Sequence, residues 1–231
     1  MGQGRLRKPL EATYRRLYGT FGPQHWWPGE TPFEVAVGAI LTQNTAWTNA
    51  SRAVQALKRA GLLDPRALDR IPQQRLAGLI RSSGYFNQKA ARLKGFVRHL
   101  RMRHGGRMGR MRRMAWPALR RELLGLKGIG PETADSILLY ALGKPVFVVD
   151  AYTRRVLARH SFIHWNASYS EIQALFMAGG RGTAQYFNES HALFVQVGKS
   201  LCRPRDPRCQ ECPLRDIGRL RLEPGATPGK A

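Results

Sequence analysis

LKGIGPETAD, residues 126–135, lies between two segments of helical pattern. Glycine permits positive φ and a close approach of the backbone, so Gly128 and Gly130 predict a tight hairpin joining two helices. The amide N–H groups of such a hairpin, together with the N-terminus of the next helix, form an anion site that suits a DNA phosphate. We therefore expect Lys127, Gly128, Ile129 and Gly130 to hold the DNA backbone.

A single carboxylate, Asp150, follows the apolar run Val146–Val149. An aspartate at the start of a helical pattern is typical of an N-cap. Backbone N–H groups hold such a side chain, and the helix dipole favours its charged form. A charged carboxylate can stabilise a cationic sugar transition state or orient a water molecule, so capping and catalysis are compatible roles. Asp150 is therefore the candidate catalytic residue.

The charge of the chain indicates a polyanionic partner. Its 231 residues include 38 Lys and Arg against 15 Asp and Glu, a formal net charge of +23. Such an excess points to nucleic acid or to an anionic membrane surface. No apolar run approaches the about 20 residues that a membrane span needs, and no signal peptide is visible. We expect a cytoplasmic, nucleoid-associated protein whose partner is DNA and not a membrane.

Apolar residues recur with a helical period along most of the chain, which predicts an all-α fold. The spacing predicts a helix over 116–124 and another over 132–142 on either side of the hairpin. Asn87 is predicted to cap a helix that runs over about 88–103. Residues 222–231 are rich in Pro and Gly and are predicted to form a disordered tail.

Nine arginines lie in residues 98–121, with Gly105, Gly106 and Gly109 in the middle of this segment. One interpretation is a solvated, flexible loop. The other is additional electrostatic contact with DNA phosphates. The sequence leaves both open.

Three stretches together resemble the endonuclease III family of helix–hairpin–helix DNA glycosylases. The first is the hairpin stretch followed by VVD at 148–150. The second, PFEVAVGAILTQNT at 32–45, resembles the helix and break with which that family fills the gap left by a flipped base. The third, GYFNQKA at 84–90, resembles its second DNA-intruding loop. The resemblance covers most of the chain.

This resemblance implies residues that contact DNA outside the hairpin. Gln43, Asn44 and Tyr85 are expected to intrude into the duplex, where they would fill the hole left by the flipped base. Lys89 is expected to contact the DNA backbone. Flipping costs a few kcal/mol of stacking and is easiest at a damaged pair.

The resemblance also implies two helical domains with the active-site cleft between them. One is a six-helix barrel over residues 24–144, with its helix–hairpin–helix at about 115–142. The other combines residues 1–23 with 145–221 and contains a Cys-rich loop at 202–218.

Glu132 is the departure from the family pattern that bears on the reaction. Bifunctional members carry a Schiff-base lysine at this position, just after the hairpin. A carboxylate cannot form a Schiff base with the sugar C1′, so lyase action through this position is excluded. A monofunctional glycosylase, which leaves an abasic site, is therefore expected. Glu132 either assists catalysis or is a solvated residue that stabilises the first turn of its helix.

Within the family, the surroundings of Trp26, Trp27 and Trp47 are most similar to those in the 3-methyladenine glycosylases. That likeness implies that the three tryptophans line the base pocket. Alkylation at N3 makes a purine cationic, and an aromatic face attracts a cation by about 0.5–2 kcal/mol. Alternatively, the tryptophans belong to the hydrophobic core.

We therefore predict a monomeric DNA glycosylase of base excision repair that acts on double-stranded DNA containing a damaged base, such as 3-methyladenine. Two alternatives remain open. One is an endonuclease III-like glycosylase for oxidised or mismatched bases. The other is a non-catalytic DNA-binding module in which Asp150 only caps its helix.

Three cysteines lie close together in the chain: Cys202, Cys209 and Cys212. An odd number in a short segment favours a metal site over disulfides. The spacing matches three ligands of the family's [4Fe–4S] loop, but Gly218 occupies the position of the fourth cysteine. A cluster with a non-cysteine fourth ligand, for which Asp216 is the nearest candidate, zinc and no metal at all remain as alternatives.

Overall fold

The computed structural model describes residues 7–179 and 182–221, and within these ranges it contains helices and no strands. The all-α prediction is confirmed. The predicted tail at 222–231 lies outside the described residues. Among the residues described, no helix has both the length and the hydropathy needed to cross a membrane.

The described residues form twelve α-helices. They are α1 (Arg7–Phe21), α2 (Pro32–Leu41), α3 (Trp47–Arg59), α4 (Pro65–Arg70), α5 (Gln73–Leu79), α6 (Phe86–His104), α7 (Met108–Arg113), α8 (Trp116–Leu124), α9 (Pro131–Ser136), α10 (Ala151–Arg159), α11 (Tyr169–Gly179) and α12 (Ala184–Ser200). A 3₁₀ turn at Arg81–Ser83 precedes α6, and a π-helical turn at Ile137–Ala141 continues α9.

The chain divides into two compact units. The inserted unit is Trp27–Lys144, which contains α2 to α9 and the π-helical turn. The terminal unit combines the described residues up to Trp26 with those from Pro145 onward, which form α1 and α10 to α12. The cleft expected from the family resemblance stays a prediction.

Helix α2 is the central helix of the inserted unit. Thr31 caps it by accepting a hydrogen bond from the N–H of Glu34 at 3.1 Å, and Pro32 occupies the first turn, where no N–H is needed. Every residue from Phe33 to Leu41 is buried, and the helix packs against α3, α6, α9 and the π-helical turn. A helix that is apolar on all sides must be surrounded by others, as this one is.

A buried ion pair joins the two helices that flank the hairpin. Arg120 of α8 donates from Nε to Asp135 Oδ1 at 2.7 Å and from Nη2 to Asp135 Oδ2 at 3.0 Å. Asp135, in α9, is fully buried. This bidentate geometry fixes direction as well as distance. Ile129, only 4% exposed, packs its side chain into the core below the hairpin.

One local prediction was wrong, and one of the two interpretations of the arginine-rich segment needs correction. Asn87 does not cap α6, because the helix begins at Phe86 and follows Tyr85 in the left-handed region at φ 45°. The arginine-rich segment is not a loop throughout, because residues 108–113 form α7. Met108 and Met111 lie three residues apart and are both buried, so one helical face of this segment packs against the core.

Substitution of Arg120 by Met should destabilise the inserted unit by about 3–5 kcal/mol, because it removes the guanidinium from a buried carboxylate. Urea denaturation followed by circular dichroism measures this loss. The neighbouring exposed residue provides the control, since Arg121→Met should change stability by no more than about 0.5 kcal/mol. Equal effects of the two substitutions would show that the ion pair does not hold α8 to α9.

Candidate functional site

The candidate DNA-binding face of the inserted unit consists of three loops: residues 42–46 after α2, 84–85 before α6, and the hairpin at 125–130. In the hairpin, Gly128 has φ +83°, and a Cβ there would lie 2.5 Å from Nε of Arg92. Both the backbone conformation and the close approach of Arg92 therefore require glycine. Lys127, Gly128 and Gly130 are exposed, whereas Ile129 is buried.

Gln43 connects the first loop to the hairpin. Its Nε2 donates to the carbonyl of Gly128 at 2.9 Å and to Oγ1 of Thr133 at 2.8 Å. Its Oε1 accepts from Nη1 of Arg92 at 2.6 Å. The amide of Gln43 thus braces the hairpin in this structure. Its predicted intrusion into DNA stays a prediction, and it would require these hydrogen bonds to be exchanged.

Asn44 and Tyr85 share an unusual backbone conformation. Their φ values are 50° and 45°, and both residues are exposed, with Tyr85 64% accessible. A non-glycine residue in the left-handed region costs of the order of 1–3 kcal/mol and is found preferentially at functional sites. Their predicted role as DNA-intruding residues is therefore compatible with their exposure and strain.

The prediction that Lys89 contacts the DNA backbone is wrong. Its side chain is fully buried, and Nζ donates to the carbonyl of Leu41 at 2.9 Å and to that of Ser83 at 2.5 Å. These carbonyls directly precede the first and the second loop. The buried ammonium therefore connects the two loops by hydrogen bonds within the core. Burial, with a smaller effect of the positive charge of Arg92, lowers the pKa of Lys89 to about 8. No feature of the sequence distinguishes this lysine from an exposed one.

An aromatic cluster lies on α2 in the inserted unit. The ring of Trp27 meets Trp47 edge-on, with centroids 5.1 Å apart, and stacks on Tyr140 at 5.0 Å with 30° between the planes. Gly38 forms the floor, since a Cβ there would lie 3.4 Å from Nε1 of Trp27 and 3.7 Å from Cζ3 of Trp47. All three rings are only partly buried. Part of each of the three residues is therefore accessible to solvent.

Sequence reasoning missed Tyr140. It lies in the π-helical turn Ile137–Ala141, within an otherwise aliphatic run. A π-helical turn rotates the following side chains relative to an α-helix and often occurs at functional sites. The polar aromatic residue directly after the aliphatic run Ile137–Leu139 was the available signal, but the periodicity of this segment indicated only a buried helix.

Trp26, the third predicted pocket residue, belongs to the terminal unit. There the ammonium of Lys199 lies 5.5 Å from the centroid of its ring. A lysine over a tryptophan face occupies the position that a cationic base would take. The predicted pocket role of Trp26 stays a prediction.

Asp150 caps α10 in the terminal unit, as predicted. Its Oδ1 accepts from the N–H of Thr153 at 2.7 Å. Its Oδ2 lies 3.6 Å from Nε2 of His191, and the two side chains are 13% and 6% exposed. One carboxylate oxygen is therefore held by the backbone, and the other faces an imidazole.

Sequence reasoning also missed His191. Burial lowers its pKa; the charge of Asp150 opposes this shift, and the charge of Lys199 adds to it. The imidazole is therefore neutral at neutral pH and can position the carboxylate without cancelling its charge. A histidine in the apolar run of α12 resembles an ordinary core residue, and only the fold brings it to Asp150.

Glu132 is exposed in the first turn of α9, directly after the hairpin. A negative charge in the first turn stabilises a helix through its dipole. The position of Glu132 is therefore compatible with the interpretation that it is a solvated residue that stabilises its helix. Its assistance in catalysis stays a prediction.

The three cysteine thiols line one cavity in the terminal unit. Cys202 and Cys212 are buried, Cys209 is partly buried, and the buried Arg159 donates from Nη1 to Cys202 Sγ at 3.4 Å. A guanidinium at this distance favours a thiolate or a thiolate-bound metal group. Burial raises the pKa of Cys209 and of Cys212. Burial thus favours the protonated form of Cys209 and Cys212, and a bound cation would reverse this preference.

The fourth ligand cannot be the residue at 218. Gly218 has φ +71°, and a Cβ there would lie 2.4 Å from the carbonyl oxygen of His160. Asp216, the predicted candidate, is exposed and its Oδ2 lies 3.4 Å from Nη1 of Arg16, so its role as a ligand stays a prediction. His160 lines the cavity, and its Nδ1 lies 2.7 Å from the carbonyl of Ile217. Metal-binding histidines commonly hydrogen-bond a carbonyl oxygen through the other ring nitrogen, so His160 could supply the fourth ligand atom.

Comparison with known proteins decides the family. The model of the HhH-GPD superfamily of base excision DNA repair proteins matches residues 37–181. A protein of Methanocaldococcus jannaschii, provisionally named as a DNA repair glycosylase, is 42% identical over 206 residues, which are 88% of this chain and 93% of that protein. The chain belongs to the HhH-GPD superfamily. It is accordingly a DNA glycosylase of base excision repair, and the expected likeness to endonuclease III is confirmed.

Two solved structures are similar to this HhH-GPD protein. One is a 3-methyladenine DNA glycosylase of H. pylori bound to 1,N6-ethenoadenine, at 29% identity and a TM-score of 0.71, covering 86% of this chain and 98% of that one. The other is endonuclease III in a trapped covalent intermediate with DNA, at 22% identity and a TM-score of 0.77, covering 94% and 95%. The second likeness concerns the fold alone.

The buried lysine predicts an unusual dependence of stability on pH. Above pH 8, Lys89 loses its proton in the folded state, whereas the unfolded chain keeps it up to about pH 10.4. The unfolded state then binds more protons, so the free energy of unfolding rises with pH in this interval. Relative to Lys89→Met, the wild-type protein should gain about 2–3 kcal/mol between pH 8 and 10.

Urea denaturation at several pH values measures this difference. The exposed Lys127 provides the control, since Lys127→Met should show the same pH dependence as the wild type. Parallel curves for the wild type and Lys89→Met would contradict the buried ammonium.

Proposed function

We propose that this DNA glycosylase releases alkylated purines such as 3-methyladenine, and that it does so by hydrolysis without lyase action. The aromatic cluster of Trp27, Trp47 and Tyr140 is the observation that carries the proposal. Its rings are 5.0 to 5.1 Å apart and partly exposed, and they rest on a glycine that leaves no side chain between them and α2.

The enzyme selects an alkylated purine over an unmodified base by the positive charge of the alkylated ring. A purine alkylated at N3 carries a positive charge, and the negative faces of indole and phenol rings attract it beyond ordinary stacking. An unmodified base gains only the stacking. The 3-methyladenine glycosylase of H. pylori, a structural neighbour at 29% identity, supports this assignment by analogy.

The cationic base is also a good leaving group, so the enzyme needs little acid catalysis. The N-glycosidic bond breaks, its electron pair leaves with the base, and the base departs neutral. Positive charge develops on the sugar, and we assign its stabilisation to the Asp150 carboxylate. Water adds to C1′ and gives up a proton to Asp150 or to solvent.

The remaining predicted residues have supporting roles. Lys127, Gly128 and Gly130 hold the phosphate backbone through amide N–H groups and one ammonium. The N–H of Ile129 donates to the carbonyl of Leu126 at 3.0 Å, so Ile129 supports the hairpin from the core. Asn44 and Tyr85, exposed on their strained loops, would enter the duplex when the base leaves its stack.

Hydrolysis without lyase action is supported by Glu132. Its carboxylate follows the hairpin at the position of the family's Schiff-base lysine, and it has no nucleophilic nitrogen. Lys127 lies before the first hairpin glycine and is assigned to phosphate.

We also propose that Cys202, Cys209 and Cys212 hold a [4Fe–4S] cluster. Their shared cavity, the guanidinium of Arg159 and the imidazole of His160 support it. When bound, such a cluster supplies a redox-active centre, and no step of the hydrolysis is assigned to it.

The decisive experiment incubates the protein with duplexes that carry 3-methyladenine, thymine glycol or a G·T mismatch. Base release from the first duplex, with strand breaks only after alkali, is expected. Strand breaks without alkali, or borohydride trapping of a protein–DNA adduct, would overturn the monofunctional assignment.

Asp150→Asn keeps a good N-cap residue, so it should fold and bind damaged DNA but lose at least about 100-fold in rate. Full activity of this variant would remove Asp150 from the mechanism.

Substitution of Trp47 by Leu should reduce excision of a cationic base more than that of a neutral one. Loss of the cation–π attraction corresponds to an additional reduction of about 2- to 30-fold for 3-methyladenine compared with 1,N6-ethenoadenine. Single-turnover rates on the two substrates measure this ratio. Trp165→Leu, a partly buried tryptophan of the terminal unit, is the matched control. An unchanged ratio in Trp47→Leu would exclude the aromatic cluster as the source of selectivity.

A further inference from the structure

Two histidines and one glutamate converge in the arginine-rich segment and its flanking helices. Nε2 of His99 lies 3.2 Å and Nε2 of His104 lies 3.1 Å from the same atom, Oε2 of Glu122. One ligand atom from each residue lies within 4.8 Å of those of the other two. The proposed hydrolysis uses none of these three side chains.

The spacing of these atoms fits a tetrahedral zinc ion. Zinc binds imidazole nitrogen at about 2.0–2.1 Å and carboxylate oxygen at about 2.0–2.2 Å, which places two ligand atoms about 3.3 Å apart. The observed separations of 3.1 and 3.2 Å are close to this value. The third separation, between the ligand atoms of the two histidines, is at most 4.8 Å.

The surroundings of the three groups also suit a metal. Their side chains are 14%, 6% and 19% exposed, in the order His99, His104 and Glu122. Burial lowers the pKa of His99 more than the charge of Glu122 raises it, which keeps this imidazole in the neutral form that binds metals.

The positive charge of Arg103 does not prevent a cation from binding at Glu122. Arg103 lies 4.0 Å from the other carboxylate oxygen of Glu122, and its side chain is 67% exposed. It can therefore turn into solvent when a metal takes its place. Without metal, Glu122 Oε2 can accept hydrogen bonds from both Nε2 atoms. A metal ion bound at Nε2 would leave Nδ1 of each ring to carry the imidazole proton.

We propose that His99, His104 and Glu122 form a zinc site that links the end of α6 to α8, the helix leading into the hairpin. Three protein ligands leave the fourth tetrahedral position to water. The site is separate from the cysteine cavity, which lies in the terminal unit. The proposal does not depend on the substrate of the glycosylase.

The test is equilibrium dialysis of the intact protein against zinc, followed by elemental analysis of the metal-to-protein ratio. Because cysteine thiolates are also zinc ligands, the informative quantity is the difference in zinc content between variants. His99→Gln and Glu122→Gln preserve hydrogen bonding and should each bind one zinc fewer than the wild type, with more than tenfold weaker affinity for that ion. His164→Gln, a histidine of the terminal unit bonded to Asn166, is the matched control and should bind as the wild type does.

Equal zinc content in the wild type, His99→Gln and Glu122→Gln would overturn the proposal. If a variant does not fold, nitrogen NMR of the wild-type histidine rings decides the question. Zinc should shift the Nε2 resonances of His99 and His104 and leave those of His164 unchanged. Absence of these shifts at saturating zinc would equally exclude the site.

Discussion

The buried ammonium of Lys89 is the interaction on which the candidate DNA-binding face depends. A charged group in the interior is costly unless it is hydrogen-bonded, and Lys89 finds its acceptors in the carbonyls of Leu41 and Ser83. Those carbonyls precede the two loops that carry Asn44 and Tyr85. Both loops are therefore fixed from inside, and their exposed tips can hold a strained conformation. Lys89 therefore supports this face from inside the protein, and its charge is not exposed to a ligand.

A second set of contacts inside the protein fixes the conformation of the hairpin. Arg92 occupies the space that a side chain at Gly128 would need, and it also binds Gln43, whose amide reaches the carbonyl of Gly128. Below them, the pair of Arg120 and Asp135 aligns the flanking helices. The backbone N–H groups that we assign to phosphate binding are thus presented by a rigid support, as an anion site requires.

Local patterns correctly predicted the cap by Asp150 and the hairpin glycines, although the cap predicted at Asn87 was wrong. The caps by Thr31 and Asp150 follow from side chains that reach backbone N–H groups three residues away. The hairpin glycines follow from backbone sterics. By contrast, Tyr140, His191 and the true role of Lys89 depend on partners far away in the chain. Trp27 meets Tyr140 and Asp150 meets His191 only after the helices pack. The periodicity of apolar residues indicates which face of a helix is buried, but it does not identify the residues of other helices that contact this face.

The sequence by itself determined the all-helical architecture, the family and the absence of a lysine after the hairpin, because each is encoded in short-range pattern or in the identity of one residue. Only the tertiary structure decided which polar groups form hydrogen bonds within the protein and which remain available to a ligand. Lys89 and Gln43 are occupied by backbone carbonyls, Gly218 excludes a fourth cysteine, and His99, His104 and Glu122 meet at one point. The physical reason is that burial and hydrogen-bond partners are properties of packing, and packing joins segments whose separation in the chain carries no local signal.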